Sequence, residues 1–239
     1  MHIIAHRGAS AYEPENTLRA FERALELGAD WVELDLRLTA DGQAVVLHPE
    51  DLGETTDGRG PVSEKTLAEV RRFHAGLGER VPTLIEVLDS FGARCGLYVE
   101  LKAPGTPRAL AEALARVRPP VGLVAASFQA TLVRQAATLL PSIPASILSS
   151  DPAVDLTVLA KRIGARMVHL CWEDASSRPD TLVTPDLLSR FARHGLEVVL
   201  WHEERPEVLE AMLSLPVWGV CTNTPDAARA LLKKAKAGR

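Results

Sequence analysis

The chain has 239 residues, 46% hydrophobic and 24% charged, with a formal net charge of −4. Such a composition is globular and long enough to fold without a disulfide or a structural metal, which excludes an intrinsically disordered chain. No apolar run approaches the ~18 residues of a membrane span, and Lys and Arg form no basic stripe before a short KKAKAGR tail, so neither stable membrane association nor a nucleic-acid partner is expected.

HIIAH (2–6) reads as a strand, and no basic and apolar leader precedes it, so no secretory signal is expected. Residues 16–28 read as a helix: Asn16 can cap it, Leu18, Phe21, Ala24 and Leu25 recur at helical spacing, and Gly28 can close it. WVELDLRL (31–38) and QAVVLH (43–48) read as strands around an ADG turn. Only residues 39–42 join them, far too few for a parallel crossover, so the pair is a hairpin. About residues 49–80 form the longest excursion, read as an ordered insertion rather than a separate domain. Further strands are expected at 96–101, 121–127, 143–148, 166–171, 197–201 and 217–222. Helical patterns occupy 83–92, 109–117, 131–140, 154–164, 184–195 and 225–235, and the basic tail beyond reads as a frayed, solvated end. With the hairpin strand set aside, eight strands remain. The expectation is one α/β domain over 1–239, a (β/α)8 TIM barrel of the usual ~250 residues. Cys95, Cys171 and Cys221 are widely spaced, with no CxxC, and read as reduced, buried thiols of a cytoplasmic protein.

Catalytic groups in such barrels sit at the C-terminal strand ends. Here those ends carry His6-Arg7-Gly8, Glu33-x-Asp35, Glu100-x-Lys102 and Thr222-Asn223. Strand periodicity puts Glu33 with Asp35, and Glu100 with Lys102, on common faces. Burying unpaired carboxylates costs several kcal/mol. Two explanations fit: an ion-pair network with Lys102 or Arg7, or a divalent cation among oxygen ligands, Mg2+ or Ca2+ rather than zinc. The hairpin brings His48 back beside Glu33 and Asp35, while His6 ends the first strand. Two imidazoles, a cation, Arg7 and Lys102 together supply what phosphodiester cleavage needs: proton exchange at both oxygens and positive charge on the phosphoryl group.

HRGASAYEPENT (6–17), VELDLRLTADGQAVVLH (32–48), PTLIEVL (82–88), YVELK (98–102), ASF (126–128), LW (200–201) and TNTPD (222–226) resemble the glycerophosphodiester phosphodiesterase family over nearly the whole chain. The resemblance implies a TIM barrel, Mg2+ or Ca2+, and hydrolysis of deacylated phospholipids to sn-glycerol 3-phosphate and an alcohol. It further implies metal binding by Glu33, Asp35 and Glu100, acid–base roles for His6 and His48, phosphate contacts from Arg7 and Lys102, and a supporting role for Glu15. Phe128 and Trp201 read either as core packing or as an apolar wall against the glycerol carbons, and Trp172 as a lining of the leaving-group side. Asn16 reads as a cap rather than a ligand. The chain departs from the family pattern at Pro49, Glu54, Asn223 and the stretch His202-Glu203-Glu204, where the glutamates are expected to add negative charge to the rim. Two alternatives stand beside the main expectation: a non-catalytic phospho-ligand-binding barrel, and hydrolysis of another phosphodiester or a lysophospholipid.

Overall fold

The computed structural model describes residues 1–237. Its strands are β1 (His2–Ala5), β2 (Trp31–Leu38), β3 (Ala44–Val46), β4 (Gly96–Leu101), β5 (Gly122–Ser127), β6 (Ala145–Ser149), β7 (Met167–Leu170), β8 (Glu197–Leu200) and β9 (Gly219–Thr222). Its helices are α1 (Leu18–Glu26), α2 (Leu67–Val70), α3 (Leu84–Phe91), α4 (Thr106–Leu114), α5 (Ala130–Leu139), α6 (Leu156–Ile163), α7 (Pro185–Arg193), α8 (Pro206–Ser214) and α9 (Pro225–Ala237). Every strand but β3 pairs in parallel with its neighbours, and β1 pairs with both β2 and β9, so the sheet closes. This is the expected (β/α)8 barrel. β3 is the surplus strand, antiparallel to β2 through Leu36↔Val46 and Leu38↔Ala44.

Three local features differ from the expectations. Thr17, not Asn16, caps α1, its side chain accepting from the Ala20 N–H; Asn16 is drawn into the site instead. Helix α8 was not anticipated, although Pro206 at its start and Val208, Leu209, Met212 and Leu213 on its buried face are an ordinary helical signal. Helix α9 extends to Ala237, two residues past the expected helical pattern, with Lys233 and Lys234 exposed, and Gly238 and Arg239 lie outside the described residues. No helix among the described residues is long and apolar enough to cross a membrane.

The alternation of apolar residues puts one set of side chains between sheet and helices and another inside the barrel. Ile4, Tyr98, Val124, Leu148, Met167, Val199 and Trp201 fill the interior. The excursion after His48 builds a small core of its own on β3, from Val45, Leu47, Leu52, Val62, Val70 and Val81. At the N-terminal end of the strands His2, Trp31 and Trp218 close the barrel, with Trp31 and Trp218 centroids 4.9 Å apart. Trp31 lies so close over β4 that a Cβ on Gly96 would stand 2.1 Å from its ring. Gly96→Ala is therefore expected to cost about 3 kcal/mol by overpacking, lowering Tm in thermal melts by roughly 6–12 °C. An unchanged Tm would show that the plug yields.

Candidate active site

The opposite end of the barrel is polar, and the edge of β2 organises it. β1 leaves that edge at Ala5↔Val32. The chain then turns with Arg7 at φ 55 and Gly8 at φ 84. A Cβ on Gly8 would meet the Ala20 carbonyl carbon at 2.7 Å, so only glycine fits. The turn aims the Arg7 backbone N–H at Glu33 Oε2, 2.9 Å away. Further along, Asn16 (φ 56) docks on Asp35: its Nδ2 donates to Oδ2 at 2.8 Å, and its Oδ1 accepts from the Asp35 N–H at 3.2 Å. Beyond Asn16, β3 takes over the edge, and Leu47 N–H donates to the Asp35 carbonyl at 2.9 Å. His6, Asn16 and His48 therefore follow one edge of β2. β4 holds the other, in a register that sets Asp35 beside Glu100.

Glu33, Asp35 and Glu100 are each 2% exposed or less. One oxygen from each lies within 4.8 Å of the others. Lys102 Nζ stands 2.7 Å from Glu100 Oε1 and 3.1 Å from Asp35 Oδ1, and Arg7 Nε stands 3.3 Å from Asp35 Oδ2. These two cations do not satisfy the cluster: Glu33 Oε1, Asp35 Oδ1 and Glu100 Oε2 are buried without a hydrogen bond, the Lys102–Asp35 contact lacking hydrogen-bond geometry. The charges show the same strain. Burial, with Asp35 and Glu100 nearby, pushes Glu33 well above the usual carboxylate range. Burial and Asp35 push Glu100 up to about 7. Burial would raise Asp35 too, but Lys102 and Arg7 outweigh it and hold it at about 2.

Two imidazoles flank this cluster. His6 Nδ1 meets Asn223 Oδ1 at 2.7 Å, and its Nε2 is buried without a partner. Burial and the Arg7 charge hold His6 well below the usual histidine range. The His48 carbonyl accepts from Arg37 Nε at 2.9 Å. Burial lowers His48 to about 4, with Lys102 and Arg7 adding to the effect and Asp35 opposing it.

The remaining expected site residues fall around these groups. Glu15 binds Arg7 Nη1 through both oxygens, at 3.1 and 3.0 Å, and is not part of the carboxylate cluster. Trp201 packs between His6 and His169, its ring centroid 4.7 Å from one and 4.8 Å from the other. Phe128, exposed at the end of β5, stands 6.4 Å from Trp201. Trp172 belongs to the core outside the barrel with Val183 and Phe191, and lines a separate cavity with Leu182 and Arg190. Glu54 is exposed on the insertion, as a rim charge would be. Glu203 is not: it is buried and neutralised by Arg205, whose Nε donates to it at 2.8 Å. Sequence reading assigned no role to His202, Asn223, Ser10 or Arg37. Arg37 shares the face of Glu33 and Asp35 by strand periodicity and could have been found. The other three needed the closed barrel.

A family model described as the glycerophosphoryl diester phosphodiesterase family matches residues 6–227. The chain is 33% identical to a glycerophosphodiester phosphodiesterase of Caldanaerobacter subterraneus, over 97% of this chain and 98% of that one. It is 31% identical to a glycerophosphodiester phosphodiesterase of Bacillus subtilis, over 98% and 86%. Among solved structures, an Oleispira antarctica phosphodiesterase in complex with the product sn-glycerol-3-phosphate superposes with a TM-score of 0.86 at 26% identity, covering 98% of this chain and 97% of that one. A glycerophosphodiester phosphodiesterase from Agrobacterium tumefaciens superposes with a TM-score of 0.83 at 26% identity, covering 96% and 99%. The chain thus belongs to the glycerophosphoryl diester phosphodiesterase family and is a hydrolase.

Proposed function

We propose that this hydrolase cleaves glycerophosphodiesters to sn-glycerol 3-phosphate and an alcohol, using a divalent cation, Mg2+ or Ca2+, held by Glu33, Asp35 and Glu100. The observation that carries this reading is the set of three buried carboxylates, each with an oxygen left without a hydrogen bond. Hard oxygen donors with no thiol or imidazole among them suit those two ions. When bound, the cation supplies positive charge against the phosphoryl oxygens.

The chain's own groups do the rest. Arg7, steadied by Glu15, and Lys102 bring further positive charge to the phosphate. Asn16 ties the Asp35 carboxylate to the Asp35 backbone, its Nδ2 donating to Oδ2 while its Oδ1 accepts from the backbone N–H, so that carboxylate keeps its orientation. In this reading His6 and His48 exchange protons with the attacking and leaving oxygens. Trp201 and Phe128 offer an apolar wall for the glycerol carbons. The substrate is a small soluble diester. The three unpaired, buried cysteines support a reducing, cytoplasmic setting.

The test is product identity from glycerophosphocholine, glycerophosphoethanolamine and lysophosphatidylcholine. Release of sn-glycerol 3-phosphate from the first two is expected. Binding of these diesters without turnover, or turnover of the lysophospholipid alone, contradicts the reading. A pH dependence follows from the carboxyl groups. A cation competes with the protons retained by Glu33 and Glu100. Affinity is therefore expected to rise as pH rises through about 7, with proton uptake by the buffer in calorimetric titrations. A flat affinity between pH 6 and pH 8, spanning ~1 unit either side of that value, would count against these ligands.

A further inference from the structure

His6 and Arg7 line a cavity of about 350 Å³ together with Glu15, His202 and Glu204. Two of these residues are carboxylates, and their partners differ. Glu15 is neutralised by Arg7, whose Nη1 donates to both of its oxygens. Glu204 has no Lys or Arg within ion-pair distance among the described residues, its one such contact being the His202 ring. Its Oε2 accepts from His202 Nδ1 at 3.1 Å, and its Oε1 accepts from the Asn223 backbone N–H at 2.8 Å. Burial alone would raise the Glu204 carboxyl, but these two donors outweigh it and hold it below the usual carboxylate range, so the group is ionised at pH 7. Each oxygen keeps acceptor capacity beyond these bonds, and the side chain is 35% exposed. The His202 ring stacks on His6, with centroids 4.8 Å apart and planes 14° apart. His202 thus ties the position of the carboxylate to that of His6. Phe128 and Trp201, the apolar wall for the glycerol carbons, do not line this cavity, whereas Arg7, which meets the phosphate, does. The alcohol on the far side of the phosphate therefore falls in it. In a cleft with low-dielectric walls, one unbalanced charge acts more strongly than it would in bulk water.

We propose that Glu204, held by His202 and the Asn223 backbone, selects the leaving alcohol, favouring one that carries an ammonium group, as choline and ethanolamine do. The inference rests on reading this cavity as part of the phosphodiester site. Glu204 takes no part in bond cleavage, and proton transfer stays with His6 and His48. Its contribution is charge: the ammonium of the head group takes the place that a Lys or Arg would fill beside a buried carboxylate. A quaternary ammonium has no N–H to donate, so for choline the contact is Coulombic alone.

The test compares two diesters that differ by one charge, in the full chain with Mg2+ or Ca2+. Glycerophosphocholine ends in a trimethylammonium group. The glycerol phosphodiester of 3,3-dimethylbutanol ends in a tert-butyl group of nearly the same shape and no charge. In the wild type, kcat/KM is expected to be at least about fivefold higher for the choline ester, the upper range for a partly exposed charge pair. Glu204→Gln keeps the size of the side chain and removes its charge, so the two diesters are expected to come within about twofold of each other. Any loss common to both cancels in the ratio. Glu204→Ala, which leaves the cavity open, is expected to give the same ratio and stands in should the first variant not fold. A wild type that does not distinguish the two diesters, or a preference that survives in the variants, overturns the proposal. Those results leave the underlying reading intact, because both diesters are still cleaved. A wild-type enzyme that cleaves neither diester sinks that reading, and this inference with it.

Discussion

Glu100→Gln is expected to weaken divalent-cation binding by at least about 100-fold while leaving the barrel folded. Replacing partners that merely orient a metal ligand costs about 10–100-fold, and the loss of a ligand costs more. The carboxamide keeps the shape of the side chain at the end of β4 but removes the charge that the cation would neutralise. Glu33 and Asp35 then remain with Lys102 beside Asp35, too little for a tight site. The readout separates this effect from general damage. Cation at about 100 times its Kd should stabilise the wild type by about 2.7 kcal/mol, whereas the same concentration should barely move Tm in the variant. An equal cation-induced shift in both proteins would remove Glu100 from the ligand set.

His48→Ala is expected to lower kcat on glycerophosphocholine by about 10²–10⁴, the usual worth of a general acid or base. The backbone of His48 is secured by Arg37, while no ring hydrogen bond is made among the described residues, so the imidazole is open to substrate or water. Burial and the nearby Lys102 and Arg7 keep it neutral at pH 7, ready to accept a proton. Pro49 follows it, so whatever orients the ring does not come from the next side chain. A loss below about tenfold would show that His48 exchanges no proton in the slow step.

The sequence made the frame of this site legible because its signals are local. Alternation along two strands put Glu33 with Asp35 and Glu100 with Lys102, and the structure sets Lys102 within 3.1 Å of both Glu100 and Asp35. The short connection at 39–42 dictated a hairpin, and β3 does return along the edge of β2. What escaped depends on backbone conformation or on barrel closure. Asn16 looks like a cap until its left-handed φ turns it away from the helix and onto Asp35. The Arg7 backbone N–H reaches Glu33 only through the tight turn at Gly8. His202 and Asn223 lie near the far end of the chain from His6, and only the pairing of β9 with β1 brings them to it. Glu203 and Glu204 are adjacent and alike in sequence. Yet one folds inward onto Arg205, and the other faces the cavity with His202.

The account turns on metal-dependent cleavage of a glycerophosphodiester, and one assay addresses it directly. Protein stripped with a chelator is mixed with glycerophosphocholine, and release of sn-glycerol 3-phosphate is followed before and after adding Mg2+ or Ca2+. The account predicts background release in the chelated sample and turnover restored by one or both cations. Full turnover in excess chelator, or none with either cation, would contradict it.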